Sequence, residues 1–195
     1  DETGATPVLE TVREAERRLL ATQKTKSYFG MGGDPAFCRA IVPLIFGTDA
    51  PSDRIRALQT PGGSGALSIL MGFAAKLTKR IHIPDPSWGN HAAIAKHSRL
   101  EILRYPYFDS ATSRVNFPAM KAALEKAEAG DLVLLHGCCH NPTGADLSRE
   151  EWSELADLLI EKKILALVDL AYQGFGDGLD EDAWAVRHLA SRLPE

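Results

Sequence analysis

Short apolar runs alternate with segments of helical periodicity along this chain, and that alternation constrains the fold more than any other feature. Five runs have the length and composition of strands: 54–60, 80–83, 101–105, 132–135 and 164–169. Helical segments lie between the strands, which is the kind of connection that parallel strands require. The sequence therefore predicts an α/β fold, three layers deep as α/β/α, around a mainly parallel sheet with right-handed crossovers.

Local signals place the helices. Thr6 and Pro7 form a cap-then-proline start for a first helix that ends near Thr22, and Asp34 with Pro35 starts a second helix in the same way. A proline at position 43 predicts that this second helix is kinked or divided. Further helices are predicted after the glycine-rich turn at 62–65, after the loop 85–91, at 117–129, after a capping box at Ser148 and Glu151, and at 181–193.

Composition excludes several classes of partner. The 195 residues carry a net charge of −4, which argues against nucleic acid and against an anionic membrane surface. The sequence has no apolar run long enough to span a bilayer and no signal peptide, and its start without Met resembles an internal cut. Three cysteines, two of them adjacent, do not form a disulfide framework, so we expect reduced thiols and a cytoplasmic protein.

A strand, a glycine-rich turn and a helix follow one another at 54–71, and this arrangement is typical of phosphate sites. The turn contains Gly62, Gly63, Ser64 and Gly65. Glycines let a ligand approach the backbone, and the free N–H groups and dipole of a helix N-terminus favour an anion. The motif is neither a P-loop nor G-x-G-x-x-G. A tight turn without a ligand remains the alternative interpretation.

Polar and aromatic residues follow three other predicted strands, at the edge of a parallel sheet where ligands bind. They are Trp88, Asn141 in the motif HGCCHNPTG at 136–144, and Asp169 with Tyr172 three residues later. A carboxylate at the end of a buried strand needs a partner. The alternatives are a tryptophan that packs in the core and an Asn-Pro-Thr-Gly segment that is only a structural turn.

A metal centre is the less favoured interpretation of the histidines and cysteines in that motif. His136, Cys138, Cys139 and His140 are potential zinc ligands. Structural zinc sites usually space their cysteines by two to four residues, however, and adjacent cysteines in a strand-like segment point to opposite faces. We therefore predict no metal. Nothing in the sequence distinguishes Cys138 as a nucleophile from a buried structural thiol.

A phosphate cradle, a stacking surface, an amide and a buried carboxylate together suit a flat, phosphorylated ring that contains nitrogen. Pyridoxal 5'-phosphate fits this description, because a carboxylate beside its pyridine nitrogen keeps that nitrogen protonated and makes the ring an electron sink.

Four motifs resemble the class I aminotransferases that depend on pyridoxal phosphate, and the aspartate and aromatic amino acid subgroup in particular. The motifs are QTPGGSGAL at 59–67, PSWGNH at 86–91, HGCCHNPTG at 136–144 and DLAYQGF at 169–175. They occur in family order over essentially the whole chain. The resemblance implies a fold-type I large domain and transfer of an amino group from aspartate or an aromatic amino acid to a 2-oxo acid such as 2-oxoglutarate.

The resemblance also implies roles for individual residues and a homodimer. Asp169, Tyr172, Asn141 and Trp88 would be the catalytic set: Asp169 binds the pyridine nitrogen, Tyr172 and Asn141 bind the phenolic oxygen, and Trp88 stacks on the ring. Gly63 and Ser64 would hold the phosphate, His91 would support Asp169 from behind, and Tyr28 would reach the cofactor phosphate of the partner subunit. The peptide bonds before Pro86 and Pro142 would be candidates for the cis form.

The resemblance further implies that residues 1–195 are an incomplete large domain. The Schiff-base lysine segment of the family and the C-terminal small domain would lie beyond residue 195, so this chain by itself would be inactive. Two alternatives remain open. One is another fold-type I enzyme, such as a lyase, and the other is a non-catalytic fragment that binds the cofactor or a partner chain.

Overall fold

The computed structural model of the protein describes residues 4–48, 50 and 53–193. The chain forms two compact units, Asp1–Met31 and Gly32–Glu195. The first unit contains helix α1 (Glu10–Thr22). The helix ends at Thr22 as predicted, but it begins at Glu10, after an extended Leu9, and not at Pro7. No residue of α1 is buried. Local preferences alone therefore place its start, and Glu14, which binds Arg17 and Arg18 at 2.7 and 2.6 Å, stabilises the turns that follow.

The second unit contains the remaining elements. Its helices in the described residues are α2 (Pro35–Phe46), α3 (Gly62–Ala74), α4 (Gly89–His97), α5 (Phe117–Leu124), α6 (Arg149–Lys162), α7 (Leu179–Asp182) and α8 (Trp184–Arg192). Its strands are β1 (Arg80–Asp85), β2 (Glu101–Pro106), β3 (Phe108–Asp109), β4 (Arg114–Val115), β5 (Leu132–His136) and β6 (Leu165–Asp169).

Four strands form one parallel sheet in the order β2-β1-β5-β6, which confirms the predicted fold class. Alternate residues of β5 face opposite layers. Val133 and Leu135 belong to a core with α5, α6 and α8, and Leu132 and Leu134 belong to a core with α3 and α4. The chain winds outward from β1 to β2 and then returns to place β5 on the other side of β1. The reversal between β1 and β5 is a topological switch point, where open α/β sheets bind ligands.

The predicted strand at 54–60 is wrong. Arg54 lies in a turn, and residues 55–60 have no regular secondary structure and join no sheet in the described residues. The backbone hydrogen bond from Gln59 to Gly32 is an isolated pair and not a ladder. The Gln59 side chain accepts a hydrogen bond from the Asp34 N–H at 2.8 Å. The Arg54 guanidinium donates to the carbonyls of Ala190 and Leu193 near the end of the described chain. Side-chain hydrogen bonds to distant residues, and not a strand ladder, therefore hold the segment 54–60 in place.

Several helix boundaries also differ from the prediction. Helix α2 continues through Pro43 to Phe46, so it is not divided there. Helix α5 ends at Leu124 instead of residue 129, because the N–H groups of Lys126 and Ala127 donate to residues three positions earlier and tighten the chain into a turn. Helices α3 and α4 begin earlier than predicted, the last helix is divided into α7 and α8, and the β3–β4 hairpin was not predicted.

The local start signals of two helices are confirmed. The Asp34 side chain accepts a hydrogen bond from the Ala36 N–H, with Pro35 in the first helical turn. Ser148 and Glu151 form the reciprocal capping box: Ser148 Oγ accepts from the Glu151 N–H at 3.2 Å, and Glu151 Oε2 accepts from the Ser148 N–H at 2.8 Å. Short polar side chains therefore predict these starts well, because their partners lie within three residues.

Three further expectations are tested by the described residues. The cysteines are free thiols. The bonds Asp85–Pro86 and Asn141–Pro142 are both cis. Among the helices of the described residues, none is long and apolar enough to cross a bilayer.

We predict opposite effects for two glycine-to-alanine changes in α3. A Cβ on Gly65 would lie 2.9 Å from Cδ of Pro61, whereas a Cβ on Gly72 would have no atom within 4 Å. Gly65→Ala should lower the free energy of unfolding by about 1–3 kcal/mol, the usual cost of overpacking. Gly72→Ala, the matched control, should raise it by about 0.5–1 kcal/mol. Urea unfolding measures both, and equal stability of the two variants would contradict the close approach.

Candidate functional site

A cavity of about 320 Å³ lies at the carboxyl ends of β1, β5 and β6. Its volume is at the lower end of the roughly 300–1,000 Å³ range of small-molecule sites. Every candidate residue of the second unit lines it: Gly63, Ser64, Trp88, His91, Asn141, Asp169 and Tyr172. Residues that lie up to about a hundred positions apart in the sequence therefore share one site, at the predicted carboxyl edge of the sheet.

The N-terminus of α3 forms one wall of the cavity. Pro61 is the N-cap and has no side chain that accepts a hydrogen bond, so the first helical N–H groups lack a side-chain cap. The Gly62 N–H donates to the Thr60 carbonyl at 2.8 Å, but the N–H groups of Gly63 and Ser64 follow inside the first turn. A Cβ on Gly63 would contact no atom within 4 Å. This wall is therefore an open, positively polarised surface that suits a phosphate.

Asp169 and His91 form the polar floor of the cavity. Asp169 is the last residue of β6 and pairs in register with His136 of β5. His91 is completely buried in α4, and its Nε2 lies 2.8 Å from Oδ2 of Asp169. His91 Nδ1 lies 2.8 Å from Oγ of Ser87. Both ring nitrogens therefore have partners, so the imidazole is held in one orientation behind the carboxylate.

A backbone N–H determines the direction of this hydrogen-bonded chain. The Asn141 N–H donates to Nδ1 of His136 at 3.3 Å, which requires that Nδ1 carry no proton. Nε2 of His136 then donates to Ser87 Oγ at 3.4 Å, and the Ser87 hydroxyl keeps its own proton available for Nδ1 of His91. His91 is left to donate its Nε2 proton to Asp169. In this tautomer the Asp169 carboxylate accepts the hydrogen bond from the His91 ring.

Burial and the neighbouring rings keep His136 neutral. Burial, followed by the charges that His140 and His91 would carry, lowers the pKa of His136 to about 3, against a smaller opposing effect of Asp169. Its ring lies 5.0 Å from that of His91 and 4.1 Å from that of His140. His136 therefore acts as a fixed hydrogen-bond partner throughout the neutral pH range and does not exchange protons.

Asn141 and Tyr172 approach each other across the cavity, with Nδ2 of Asn141 3.4 Å from Oη of Tyr172. The loop that carries Asn141 is held by Asp146, which accepts hydrogen bonds from the N–H groups of Cys139 and His140 at 2.6 and 2.9 Å. The Tyr172 side chain is 40% exposed. One rigid amide and one accessible hydroxyl can therefore bind the same ligand oxygen.

Trp88 is the N-cap of α4 and is partly buried. Its ring meets His91 edge to face at 5.3 Å, which leaves it on the lining of the cavity as well as against the core.

Tyr28 belongs to the first unit and is 95% exposed. Its contact with a partner subunit stays a prediction.

The thiols of the loop do not have the properties of nucleophiles. Burial, with the neighbouring Cys139 and Asp182, raises the pKa of Cys138 to about 12, and burial also raises the pKa of Cys139. The expectation that these cysteines point to opposite faces is wrong. Cys139 has φ of 48°, so the segment is not strand-like, and the two sulfur atoms lie within 4.8 Å of each other.

Four lining residues were not predicted as part of the site: Leu67, His136, Cys138 and Ala171. Ser87, which connects two histidines, was not predicted either. Ser87 lies four residues before His91, and this spacing was the sequence feature that could have indicated their contact. The spacing alone does not predict the contact, because the contact depends on the geometry of the loop.

Comparison with known proteins gives consistent results over the whole chain. The family model for aminotransferase class I and II matches residues 1–195. An aromatic-amino-acid aminotransferase of Paracoccus denitrificans is 48% identical over 197 residues, and an aspartate aminotransferase of Salmonella typhi is 47% identical over 196. The matches cover 100% and 98% of this chain and 50% of each relative, so the chain spans about half the length of the curated relatives it matches.

Two solved structures agree in fold. An aromatic amino acid aminotransferase with 3-indolebutyric acid has a TM-score of 0.95 at 47% identity, over 100% of this chain and 50% of that one. An aromatic-amino-acid aminotransferase of Burkholderia pseudomallei, covalently bound to pyridoxal phosphate, has a TM-score of 0.93 at 38% identity, over 98% and 49%.

Proposed function

Because this chain belongs to the class I and II aminotransferase family, we propose that the complete protein transfers an amino group between an L-amino acid and a 2-oxo acid. The amino acid is aspartate or an aromatic amino acid, and the acceptor is a 2-oxo acid such as 2-oxoglutarate. Relatives of similar identity bear both names, aromatic and aspartate aminotransferase. The observation that carries the proposal is the Asp169–His91 pair at 2.8 Å, opposite a helix N-terminus in one cavity.

The cofactor of this reaction would be pyridoxal 5'-phosphate, and the donor set fits it. A carboxylate that only accepts hydrogen bonds suits a protonated ring nitrogen, and the uncapped N-terminus of α3 suits a phosphate. When bound, pyridoxal phosphate supplies a protonated ring that withdraws electrons from the α-carbon of the amino acid.

The seven predicted residues in the lining each have a task in this proposal. Asp169 would hold the proton on the ring nitrogen, and His91 would orient the carboxylate. Gly63 and Ser64 bind the phosphate through their backbone N–H groups. Trp88 covers one face of the ring and excludes water. Asn141 and Tyr172 bind the phenolic oxygen, which is supported by their mutual distance of 3.4 Å.

We further propose that residues 1–195 are the greater part of a cofactor-binding large domain in a cytoplasmic homodimer. The catalytic lysine would come from outside these residues, so the 195-residue chain alone would not turn over. Tyr28, in the glycine-rich segment 25–33, would contact the cofactor phosphate of the partner subunit.

This arrangement predicts complementation between two inactive variants. In a dimer of a Tyr28→Ala subunit and an Asp169→Ala subunit, one of the two sites contains neither defect if the subunits share their sites. Random mixing of equal amounts should therefore restore about a quarter of the wild-type activity. Activity is measured after subunit exchange, with each variant alone as a control. Mixed dimers without recovered activity would show that Tyr28 acts elsewhere.

The proposed reaction is tested by following both products of the complete protein. Aspartate or tyrosine is supplied with 2-oxoglutarate, and the new amino acid and the new 2-oxo acid are quantified. An aminotransferase produces them in equal amounts and requires both substrates. A lyase releases product from the amino acid without an acceptor. A protein that only binds the cofactor changes the cofactor absorbance and produces neither product.

A further inference from the structure

The two adjacent thiols lie beside a carboxylate that the reaction does not use. One sulfur atom from Cys138, one from Cys139 and a carboxylate oxygen of Asp182 all lie within 4.8 Å of one another. The positive φ of Cys139 turns its side chain toward that of its neighbour. On a tetrahedral zinc centre two sulfur ligands are about 3.8 Å apart, which follows from Zn–S bonds of about 2.3 Å. The three atoms are therefore close enough together to be ligands of one cation.

A second cavity, of about 240 Å³, adjoins this cluster. Cys138 and Asp182 line it together with the carboxylates of Asp146, Asp177 and Glu181. The basic residue Arg149 lies in the same lining, but its guanidinium is 5.2 Å from the centre of the Trp184 ring. The charge of the cavity is therefore negative, which favours a cation, and its volume leaves room for water as a further ligand.

Asp182 retains the capacity to bind a cation. Its Oδ2 accepts hydrogen bonds from the N–H groups of Gly174 and Gly176 at 2.7 and 3.0 Å, and its Oδ1 accepts from the Asp177 N–H at 2.9 Å. Oδ1 accepts fewer of these three hydrogen bonds than Oδ2, so it is the oxygen better placed to bind a metal ion. The Gly178 N–H also interacts with this carboxylate. The same hydrogen bonds fix the carboxylate in place before a cation arrives.

We infer that Cys138, Cys139 and Asp182 form a three-ligand site for a thiophilic divalent cation of the zinc and cadmium class. Two sulfur ligands and one oxygen ligand select such ions over Mg²⁺ and Ca²⁺, which prefer oxygen alone. Three protein ligands leave a fourth position of the tetrahedron open to water from the cavity. Cys138 also lines the larger cavity, so the two sites share a wall.

Cadmium is the probe for this site, because sulfur-to-cadmium charge-transfer absorption in the ultraviolet counts the bound sulfur ligands. Titration of the complete protein with Cd²⁺ at neutral pH should give one tight site with the absorption of two thiolates. Zn²⁺ should displace the cadmium, and excess Mg²⁺ should not. Cys138→Ser and Cys139→Ser should each weaken cadmium binding at least about 100-fold. Removal of a residue that only hydrogen-bonds to a metal ligand already lowers metal affinity roughly 10- to 100-fold, and removal of a direct ligand should cost more.

Cys38→Ser is the matched control, since Cys38 is the third free cysteine and lies in α2. It should leave the affinity and the absorption unchanged. Asp182→Asn is a poorer test, because the carboxylate also holds three backbone N–H groups. Circular dichroism confirms that the cysteine variants fold. The inference is overturned if cadmium absorption reports one sulfur, if Cys38→Ser abolishes it, or if folded Cys138→Ser and Cys139→Ser bind as tightly as the unmodified protein.

Discussion

Replacing Asp169 with alanine is expected to reduce the turnover of the complete protein by about a thousandfold, equivalent to about 4 kcal/mol of transition-state stabilisation. Among the described residues that line the cavity, Asp169 has the one acidic side chain, and Nε2 of His91 lies 2.8 Å from it. Without it the ring nitrogen of the cofactor would lose the partner that holds its proton. The measurement is the initial rate of aminotransfer at saturating substrates and cofactor.

The fold should survive this substitution, because the Asp169 side chain lies at the end of β6 and is 19% exposed. Asp157→Ala is a suitable control: it removes an exposed carboxylate that pairs with Arg192 at 2.6 Å and should change turnover little. Asp169→Asn keeps the shape of the side chain and should be impaired as well, which separates loss of charge from loss of packing. Turnover of Asp169→Ala within tenfold of the unmodified protein would rule out the assigned role.

The 195-residue chain alone is expected to show no aminotransferase activity and no specific covalent attachment of pyridoxal phosphate. In the part of the chain that the structure describes, no lysine lines the cavity. The nine lysines are Lys24, Lys26, Lys76, Lys79, Lys96, Lys121, Lys126, Lys162 and Lys163. Seven are exposed, and Lys121, one of the two that are partly buried, is paired with Glu154 at 2.9 Å. A nucleophilic lysine must instead be held at the reacting carbon.

Borohydride reduction in the presence of the cofactor, followed by peptide mapping, measures this directly. We expect weak labelling spread over several lysines and no single stoichiometric site. A control reduction with the aldehyde of pyridoxal, which lacks the phosphate, sets the level of non-specific labelling. Stoichiometric labelling of one lysine together with measurable turnover would mean that this chain carries the catalytic amine itself.

Local sequence signals predicted the parts of the fold whose partners are close in the chain. The Ser148–Glu151 capping box and the Asp34–Pro35 start depend on contacts within three residues, and both formed as predicted. The segment 54–60 has the composition of a strand, but no neighbouring strand pairs with it in the described residues. Whether an extended segment joins a sheet depends on distant residues, so composition alone misidentified it.

The candidate site was predictable for a different reason. Trp88 and Asn141 follow strands and Asp169 is the last residue of one, and parallel strands bring their carboxyl ends to one edge. The direction of the hydrogen bonds from His136 through Ser87 to His91 was not predictable, since it depends on one backbone N–H in a turn. The short distance between the sulfur atoms of Cys138 and Cys139 depends on the positive φ of Cys139. Backbone preferences do not predict a positive φ for a cysteine.

The bond between His91 and Asp169 joins residues that are 78 positions apart. At synthesis rates of about 5–20 residues per second, His91 leaves the ribosome roughly 4–16 s before Asp169 does. During that interval α4 can dock on β1, but the floor of the cavity is missing until β6 pairs with β5. The pocket therefore cannot form before residue 169 has been synthesised, even though the wall formed by α3 and α4 is available earlier.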